Sequence, residues 1–473
     1  MTMATTTNRL HRTMRPHVLI AGALALLTAF DLPAQGRGRR GQRPDGAPQP
    51  ATAPSEAAPA AKPEAKPKKH TAIVGGDVYL GTGQRLSGAT VLIADDKIEA
   101  VGHNLTLPEG TTVIDAKGKC VSPGFVCVQG NGMGAGRGAP YVDTVNPFDP
   151  EIKQALAAGV TAFLSGSANG QGLPGGSNAV IKLAYGDVRG MVLKEDPVVG
   201  MNAVMSLAER DKFTETVGKC REYLQAVAEF PAKKAADPQA KEPQPPQGAE
   251  KLLAVLKGDA MLWLSVGGVS MNPFGGMVRR GNATSSDVDG IRQAMAIAKL
   301  LGRGVVLQKP MSAWLVPDEI AATGSLVYLS PRDRIPADPT DPDTTGSNLA
   351  ASALLAKAGV PVAVTCPVGM FGGAGVGTGG IMGQDLNTPH LDAAFAVRGG
   401  LDNRKALRTL TLDAAKILGV ERRIGSLEAG KDADVLILQG DPLHYATFVT
   451  TALVNGKVVY EMAKEPLFKH LAR

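Results

Sequence analysis

The side chains best suited to chemistry come directly after short apolar runs, where a strand would end and a loop begin. They are Cys127, Gln129 and Asn131 after one run, Lys309 after GVVLQ, and Cys366 after VAVT. Amide side chains can hold a polar ligand by hydrogen bonds. A cysteine nucleophile needs a base that generates the thiolate, and Lys309 is a candidate for that base. We therefore predict that these five residues line a ligand pocket.

An acid–imidazole pair lies further along the chain. Asp385 and His390 occur in the string GQDLNTPH. A carboxylate beside an imidazole can perform general acid–base catalysis, so both residues are candidate catalytic groups. A structural role in a loop is the alternative interpretation.

The elements that must position these residues alternate between strand-like and helix-like segments. The helix-like EIKQALAA precedes GVTAFLS, and AMLWLSVGG precedes DVDGIRQAMAIAKLLG; further apolar runs are GVVLQKP, SLVYLSP and GVPVAVTCP. Apolar strands that alternate with helices indicate a parallel sheet covered by helices. About eight such units over about 300 residues suit a (β/α)8 TIM-like barrel, in which functional residues lie at the carboxyl ends of the strands.

Both ends of the folded region contain strand-like runs. From Thr71 the chain gives β-type runs broken by Gly and Asp, and near the C-terminus ADVLIL precedes ALVNGKVVY. Asn455-Gly456 between alternating apolar runs is a strong hairpin signal. Neither end has enough surface to form a domain alone, so we predict that the two ends pair.

The predicted fold class is therefore α/β, a (β/α)8 TIM-like barrel with a small β-sandwich domain formed by both chain ends. The predicted divisions are a signal peptide (1–35), a disordered Pro/Ala/Lys-rich linker (36–69), a composite β-sandwich domain (70–122 and 425–465), and a barrel (123–424) with a disordered insert at 230–250. The linker and the insert are rich in Ala, Pro, Lys and Glu, a composition that cannot offset the entropy of ordering.

The first 35 residues predict export. Arg9, Arg12 and Arg15 precede an apolar core from His17 to Phe30 and a small-residue cleavage zone around Ala34, as in a secretory signal peptide. The apolar core of about 13 residues is shorter than the roughly 20 that span a bilayer. We predict a periplasmic or extracellular protein with no integral membrane segment after cleavage.

The charge distribution argues against nucleic acid as a partner. The formal net charge is +6, but residues 1–69 hold 11 Lys and Arg against 4 Asp and Glu, so the rest of the chain is close to neutral. Aromatic residues make up only 4% of the sequence, which disfavours nucleic-acid modules that stack bases on aromatic side chains. We predict that the folded part binds no nucleic acid.

Several strings together resemble the amidohydrolase superfamily, in particular its imidazolonepropionase-like and dihydroorotase-like metal-dependent hydrolases. They are CVSPGFVCVQGN, AGVTAFL, GGSNAVIKL with MVLKEDP, and the C-terminal ALRTLTLDAAKILGVERRIGSLEAGKDADVLIL. The resemblance spans roughly residues 71–461. It implies a barrel with a small β-sandwich, a bound zinc or other divalent metal, and dimers or larger assemblies.

The resemblance also places the metal ligands, and this sequence departs from them. Members usually continue the first barrel strand as Asp-x-His-x-His, and here those positions read Cys127-Val128-Gln129-Gly130-Asn131. Later ligand positions fall at Lys309 and at or next to Cys366. Amides bind zinc-type ions far more weakly than imidazole does, and an ammonium group repels a metal. We therefore expect no metal cofactor, with polar filling of a vacated site as the alternative role for the two amides. A disulfide between Cys127 and Cys366 is a further possibility, if the Cα atoms lie within about 7 Å.

The remaining candidate is Glu195, which lies where some relatives place a metal-binding or acid–base carboxylate; a loop carboxylate is the alternative. Of the seven histidines, His390 alone lies in the barrel region. A bound Zn²⁺ lowers the pKa of water from about 15.7 to about 7, so loss of the metal would remove the family's nucleophile.

These departures lead to one prediction and one alternative. We predict an exported amidohydrolase-like protein without metal-dependent catalysis. It would bind a small molecule, or act as a partner subunit in a homo-oligomer or in a hetero-oligomer with a complete relative. The alternative is an active hydrolase that acts on carbon–nitrogen (non-peptide) bonds through an atypical metal site.

Overall fold

A computed structural model gives the fold of the chain from residue 68 to residue 466. Within that range it describes all residues except 137, 139, 171, 268, 273–275, 280–286, 333–336, 338, 366–375 and 378–388. The predicted signal peptide, nearly all of the predicted linker, Cys366 and Asp385 lie outside the described residues.

The strands and helices follow the order of the predicted apolar and amphipathic runs. The strands are β1 (His70–Tyr79), β2 (Arg85–Ala94), β3 (Lys97–Gly102), β4 (Thr112–Asp115), β5 (Cys120–Pro123), β6 (Phe125–Cys127), β7 (Val160–Ser167), β8 (Ser177–Lys182), β9 (Val192–Glu195), β10 (Val198–Asn202), β11 (Met261–Ser265), β12 (Val269–Asn272), β13 (Gly276–Arg279), β14 (Val306–Gln308), β15 (Leu326–Leu329), β16 (Val362–Val364), β17 (Val435–Leu438), β18 (Val449–Val454) and β19 (Lys457–Glu461). The helices are α1 (Pro150–Ala157), α2 (Val188–Met191), α3 (Leu207–Ala236), α4 (Glu250–Lys257), α5 (Val288–Leu301), α6 (Pro317–Ala321), α7 (Ala351–Lys357), α8 (Pro389–Arg398), α9 (Asn403–Ala406) and α10 (Leu412–Ile417).

Strands from both ends of the folded region share one composite sheet. Its order is β19-β18-β17-β5-β1-β2-β3, with β4 paired to β1. The two ends meet where β17 pairs antiparallel with β5, which places Leu436 opposite Ser122. Ile73, Val121 and Ile437 are buried in one apolar core. The predicted pairing of the two ends is therefore present.

The hairpin predicted at Asn455-Gly456 is confirmed. Val454 pairs with Lys457 across a two-residue turn. Asn455 and Gly456 have φ angles of 52° and 71°. Positive φ at both central residues is the requirement of the type I′ turn, and Asn followed by Gly meets it at the lowest cost.

The middle of the chain contains the predicted parallel sheet. Strands β10, β11, β14, β15 and β16 pair in that order and all run parallel. Helices α3 and α4, α5, α6 and α7 make the successive crossovers between these strands. Every residue of β15 and β16 is buried, as expected for parallel strands that are covered on both faces.

A second sheet in this region departs from the predicted barrel pattern. Its order is β6-β7-β8-β9, with β6 and β7 parallel but β7–β8 and β8–β9 antiparallel. The connections are residues 168–176, without a helix, and 183–191, with only the short α2. A parallel crossover needs about a dozen residues or more, so these short connections lead to antiparallel pairing. The described strand pairings therefore do not establish a closed eight-stranded barrel.

The two central sheets nevertheless share one apolar core. Val126 of β6, Leu164 of β7 and Val306 of β14 belong to the same buried cluster. The rings of Trp263 and Tyr328 lie 4.8 Å apart within it. The fold is thus a mixed α/β arrangement in which both sheets pack on a common centre.

The long helix α3 extends into the segment that the sequence predicts to be disordered. Its N-terminus is fixed by a capping box between Ser206 and Glu209. Its last turns include Pro231 and reach Ala236, so the first residues of segment 230–250 are helical. Within the described residues, none of the helices has the length and apolar character to cross a membrane.

A buried charge cluster joins the second sheet to the composite sheet. Lys182 ends β8, and its side chain is 1% exposed. Its Nζ lies 2.9 Å from an oxygen of Asp432 and 2.9 Å from an oxygen of Asp434, which precede β17. It also donates a hydrogen bond to the side chain of Asn455 in the hairpin turn. One ammonium group therefore holds the segment before β17 and the final hairpin against β8.

Further cations complete the cluster around Asp432. Arg423 donates two hydrogen bonds to its carboxylate, at 2.8 and 2.9 Å, and Lys97 forms a third ion pair. Burial opposes ionisation, but the hydrogen bonds from Arg423 and Lys97 and the charge of Lys182 together hold the pKa of Asp432 well below its usual range. Burial raises the pKa of Asp434, and Lys182 offsets this only in part.

Removal of the carboxylate charge in this cluster should destabilise the fold strongly. We expect Asp432→Asn to lower the free energy of unfolding by about 3–5 kcal/mol, because it leaves the buried Lys182 short of a counter-charge. The control is Asp187→Asn, which weakens the exposed ion pair with Lys457 and should cost about 1 kcal/mol or less. Urea unfolding of the purified variants measures both. Equal losses in the two variants would contradict this account.

The low pKa of Asp432 also predicts sensitivity to acid. Because the folded-state pKa lies below the ordinary value of 3.8, the stabilisation is fully present above that pH and is lost as the pH falls below it. Asp434, whose pKa is raised, acts with the opposite sign. Urea unfolding at a series of pH values below about 5 should show a steeper loss for the wild-type chain than for Asp432→Asn. Parallel pH profiles of the two proteins would show that Asp432 is not responsible for the loss of stability in acid.

Candidate functional site

Gln129 and Asn131 lie together just beyond the carboxyl end of β6. The backbone of Gly130 between them donates a hydrogen bond to Leu164 of β7 at 2.9 Å. A short bridge covers the pair, in which Val376 N–H donates to Gln129 O at 3.0 Å and Asn131 N–H donates to Val376 O at 2.9 Å. A Cβ at Gly130 would lie 2.5 Å from the Phe163 ring, so this position has room only for glycine.

The amide oxygen of Gln129 is the notable polar atom of this region. Gln129 Oε1 is buried and has no hydrogen-bond partner within the described part of the chain. Asn131, two residues further on, is exposed. Buried polar groups in folded proteins are nearly always paired, so an orphaned acceptor at a strand end marks a place where a donor is missing.

Lys309 lies at the carboxyl end of β14, on the parallel sheet. Its φ angle is +45°, which is uncommon for a residue other than glycine. Its N–H donates to Tyr328 O at 2.9 Å, which holds this backbone conformation in place. The residue borders a cavity of about 30 Å³ together with Ser330 and Asn348. Non-glycine residues held at positive φ are often found at functional sites.

Cys127 belongs to the apolar core. It is 6% exposed and lies in a cluster with Phe125 and Phe163, whereas Val126 and Val128 belong to the cluster shared by the two central sheets. Its predicted neighbour in the pocket, Cys366, lies outside the described residues. Cys120 and Cys220 are unpaired thiols, and burial raises the pKa of both.

The remaining candidates lie apart from these strand ends. Glu195 is exposed at the end of β9, and its Oε1 accepts a hydrogen bond from Tyr141 N–H at 2.6 Å, which is the loop-carboxylate role. His390 lies in the first turn of α8, and burial lowers its pKa, so the imidazole is neutral at pH 7. Its predicted partner Asp385 is outside the described residues.

A polar cavity of about 880 Å³ lies at the composite sheet rather than at the strand ends. Tyr79, Arg85 and Asp441 are among its lining residues. Burial, together with the nearby charge of Asp441, raises the pKa of Tyr79 to about 12, so its hydroxyl stays protonated. None of the predicted site residues lines this cavity.

The residues described at the strand ends do not fit the metal that the family resemblance implies. Structural and catalytic zinc sites are built from imidazole, thiolate or carboxylate ligands. The strand ends here offer the amides of Gln129 and Asn131 and the ammonium group of Lys309. In the part of the chain that the structure describes, no group of three or more His, Cys, Asp and Glu residues could hold a metal ion.

The buried cluster around Lys182 was not predicted from the sequence. The signal was present in two places: a lysine at the end of the apolar run SNAVIK, and the paired carboxylates of Asp432 and Asp434 directly before an apolar strand. Charged residues are almost never fully buried unless they are paired. Together, the two patterns indicate a buried ion pair between the lysine and the aspartates.

The chain is similar to known amidohydrolases in both sequence and fold. The sequence pattern of the Amidohydrolase family matches residues 327–460. An amidohydrolase from Thermotoga maritima is 25% identical to the chain, with a TM-score of 0.56; the match covers 83% of this chain and 100% of that one. The family pattern and this structural match confirm the resemblance to the amidohydrolase superfamily carried by the sequence motifs.

More distant solved structures also match. N-isopropylammelide isopropylaminohydrolase from Burkholderia multivorans is 16% identical, with a TM-score of 0.46, over 83% of this chain and 98% of that chain. Molinate hydrolase is 17% identical, with a TM-score of 0.45, over 83% and 95% of the two chains. No curated protein matches the sequence.

The orphaned acceptor of Gln129 predicts a stabilising substitution. Gln129→Met keeps the length of the side chain and removes the unpaired oxygen, so the free energy of unfolding of the ligand-free protein should rise by about 1 kcal/mol or more. Urea or thermal unfolding measures this change. The control is Gln239→Met, at an exposed position, which should change stability by less than about 0.5 kcal/mol. A loss of stability in Gln129→Met would mean that its amide already has a partner in the folded protein.

Proposed function

We propose that this protein is an exported, amidohydrolase-like binding protein that does not perform metal-dependent hydrolysis. Its ligand is a small polar molecule that donates a hydrogen bond to Gln129 at the end of β6. The observation that carries the proposal is the buried Oε1 of that side chain, which has no hydrogen-bond partner among the described residues.

The chemistry of the strand ends supports the loss of metal-dependent hydrolysis. The family resemblance assigns two imidazoles to the positions of Gln129 and Asn131 and a further ligand to the position of Lys309. Neutral amides and an ammonium group do not compensate the charge of a divalent cation. Without a metal, water at this position keeps a pKa near 15.7, far from the value of about 7 that a zinc-bound water reaches.

The same residues are suited to hold an uncharged polar group. An amide side chain offers both a donor and an acceptor, so it can bind an amide, an amine or a hydroxyl group of a ligand. An unsatisfied buried acceptor is unfavourable in the empty site, and a ligand N–H or O–H removes this cost. The site would then select ligands that carry such a donor over analogues that lack it, because the analogue leaves the acceptor unpaired.

We propose further that the two central sheets are the two parts of a (β/α)8-type barrel and that the composite sheet forms a β-sandwich with its shared core. The buried cluster that includes Val126, Trp263 and Val306 supports this arrangement, because it joins the inner faces of both sheets. Gln129 and Lys309 follow the carboxyl ends of two parallel strands, where such barrels carry their sites.

Metal content distinguishes the proposal from its alternative, an active hydrolase of carbon–nitrogen bonds. We expect the purified protein to hold well below one equivalent of zinc, iron or manganese by elemental mass spectrometry, and its unfolding temperature to be unaffected by a chelator. The matched comparison is the double variant Gln129→His, Asn131→His, which should hold more zinc because it restores two imidazoles. Stoichiometric metal in the wild-type chain, with hydrolysis lost on chelation, would establish the alternative.

Export is a separate part of the proposal with its own test. Expression of the full chain in a Gram-negative host should place the protein in the periplasm, with a new N-terminus near Ala34, because the first 35 residues have the order of a signal peptide. Mass spectrometry of the fractionated protein reads the N-terminus. Replacement of Arg9, Arg12 and Arg15 by Glu should retain the protein in the cytoplasm. An uncleaved chain in the cytoplasm of the wild-type strain would refute export.

A further inference from the structure

A cavity with charged side chains in its wall lies at the opposite end of the parallel sheet from Lys309. Its volume is about 220 Å³, and Val360, Pro361 and Val362 form its wall at the amino end of β16. Sites for drug-sized ligands measure about 300–1,000 Å³, and a water molecule takes about 30 Å³ of liquid volume. The cavity therefore suits a small ion or a single charged group.

The charges that line this cavity are unbalanced. The lining residues include three cations, Lys405, Arg408 and Lys416, but one carboxylate, that of Asp413. Arg408 donates a hydrogen bond to Asp413 Oδ1 at 2.8 Å, and Lys416 Nζ lies 3.5 Å from the same oxygen. Among the described residues Lys405 forms no ion pair. Three cations around one carboxylate leave a formal charge of about +2 at the cavity.

Arg408, whose side chain lines the cavity, also has an unused donor. Its Nε is buried and has no hydrogen-bond partner among the residues that the structure describes. A buried N–H without an acceptor is unfavourable, and a guanidinium group matches the oxygen spacing of an oxyanion. The missing acceptor and the excess positive charge indicate the same kind of ligand, a small anion with several oxygen atoms.

We propose that this cavity binds a phosphate group, with Arg408 Nε as a hydrogen-bond donor and with Lys405 and Lys416 as sources of positive charge. A phosphate group carries about −1.5 to −2 charge at pH 7, which balances the charge of the cavity. Inorganic phosphate and a small phosphate ester share this chemistry. The site lies away from Gln129, so it stands independently of the function proposed above.

Titration of the purified full-length protein with inorganic phosphate tests the site. Calorimetry in low-salt buffer should show one equivalent bound, and the affinity should fall as sodium chloride is added, because salt screens the cations at the opening of the cavity. The unfolding temperature should rise with phosphate concentration, since the ligand binds the folded state. Chloride at the same ionic strength should cause no comparable rise.

Three substitutions separate a built site from general attraction by surface charge. Lys405→Gln removes an exposed cation and should weaken phosphate binding several-fold without affecting folding. Arg408→Lys keeps the charge but loses Nε, and should weaken binding by about tenfold or more, because the hydrogen bond from that donor is lost. Lys219→Gln, on the exposed face of α3, is the control and should leave the affinity unchanged.

The outcomes are distinct. Tighter binding of glycerol phosphate than of inorganic phosphate would identify an ester as the ligand, and equal or weaker binding would identify free phosphate; both support the site. The proposal is overturned if phosphate gives no more stabilisation than chloride. It is also overturned if Lys405→Gln and Arg408→Lys bind phosphate as the wild-type chain does.

Discussion

The fold depends on one buried ammonium group. Lys182 is held inside the protein by the carboxylates of Asp432 and Asp434, and it contacts the turn of the final hairpin through Asn455. Isolated charges are costly to bury, so the three elements that supply these groups must meet for any of them to be stable. The cluster therefore fixes how the C-terminal strands lie against β8. It also gives a physical reason for the C-terminal motif GKDADVLIL, whose two aspartates are those of the cluster.

The scaffold and the site differ in how far they follow the superfamily. The composite sheet, the parallel strands and the buried cluster do not depend on what the strand ends carry, because their stability comes from apolar packing and paired charges. The strand ends are free to change without loss of the fold. In this chain they carry two amides and a lysine at positive φ. The buried oxygen of Gln129 has no partner in the described part of the chain, so hydrogen bonding is the chemistry that this position favours.

The sequence predicted the parts of the fold that rest on local patterns. The hairpin was predictable because Asn455 and Gly456 both tolerate the positive φ that the turn requires. The parallel strands were predictable because fully apolar runs lie between helical segments. It did not predict the antiparallel direction of β8, because an apolar run has the same pattern in either direction; only the short connections at 168–176 and 183–191 carried that information. The positions of Gln129 and Asn131 at a strand end were predictable from their spacing. The backbone bridge at Gln129 was not, since its partner Val376 lies more than two hundred residues away.

Anomalous X-ray diffraction from crystals soaked in zinc and in manganese tests the central claim most directly, because it locates metal ions independently of activity. The account predicts no anomalous peak beside Gln129, Asn131 or Lys309, and ordinary density for a polar ligand or water within hydrogen-bond distance of Gln129 Oε1. A well-occupied metal peak at the end of β6, ligated by side chains of this chain, would contradict it.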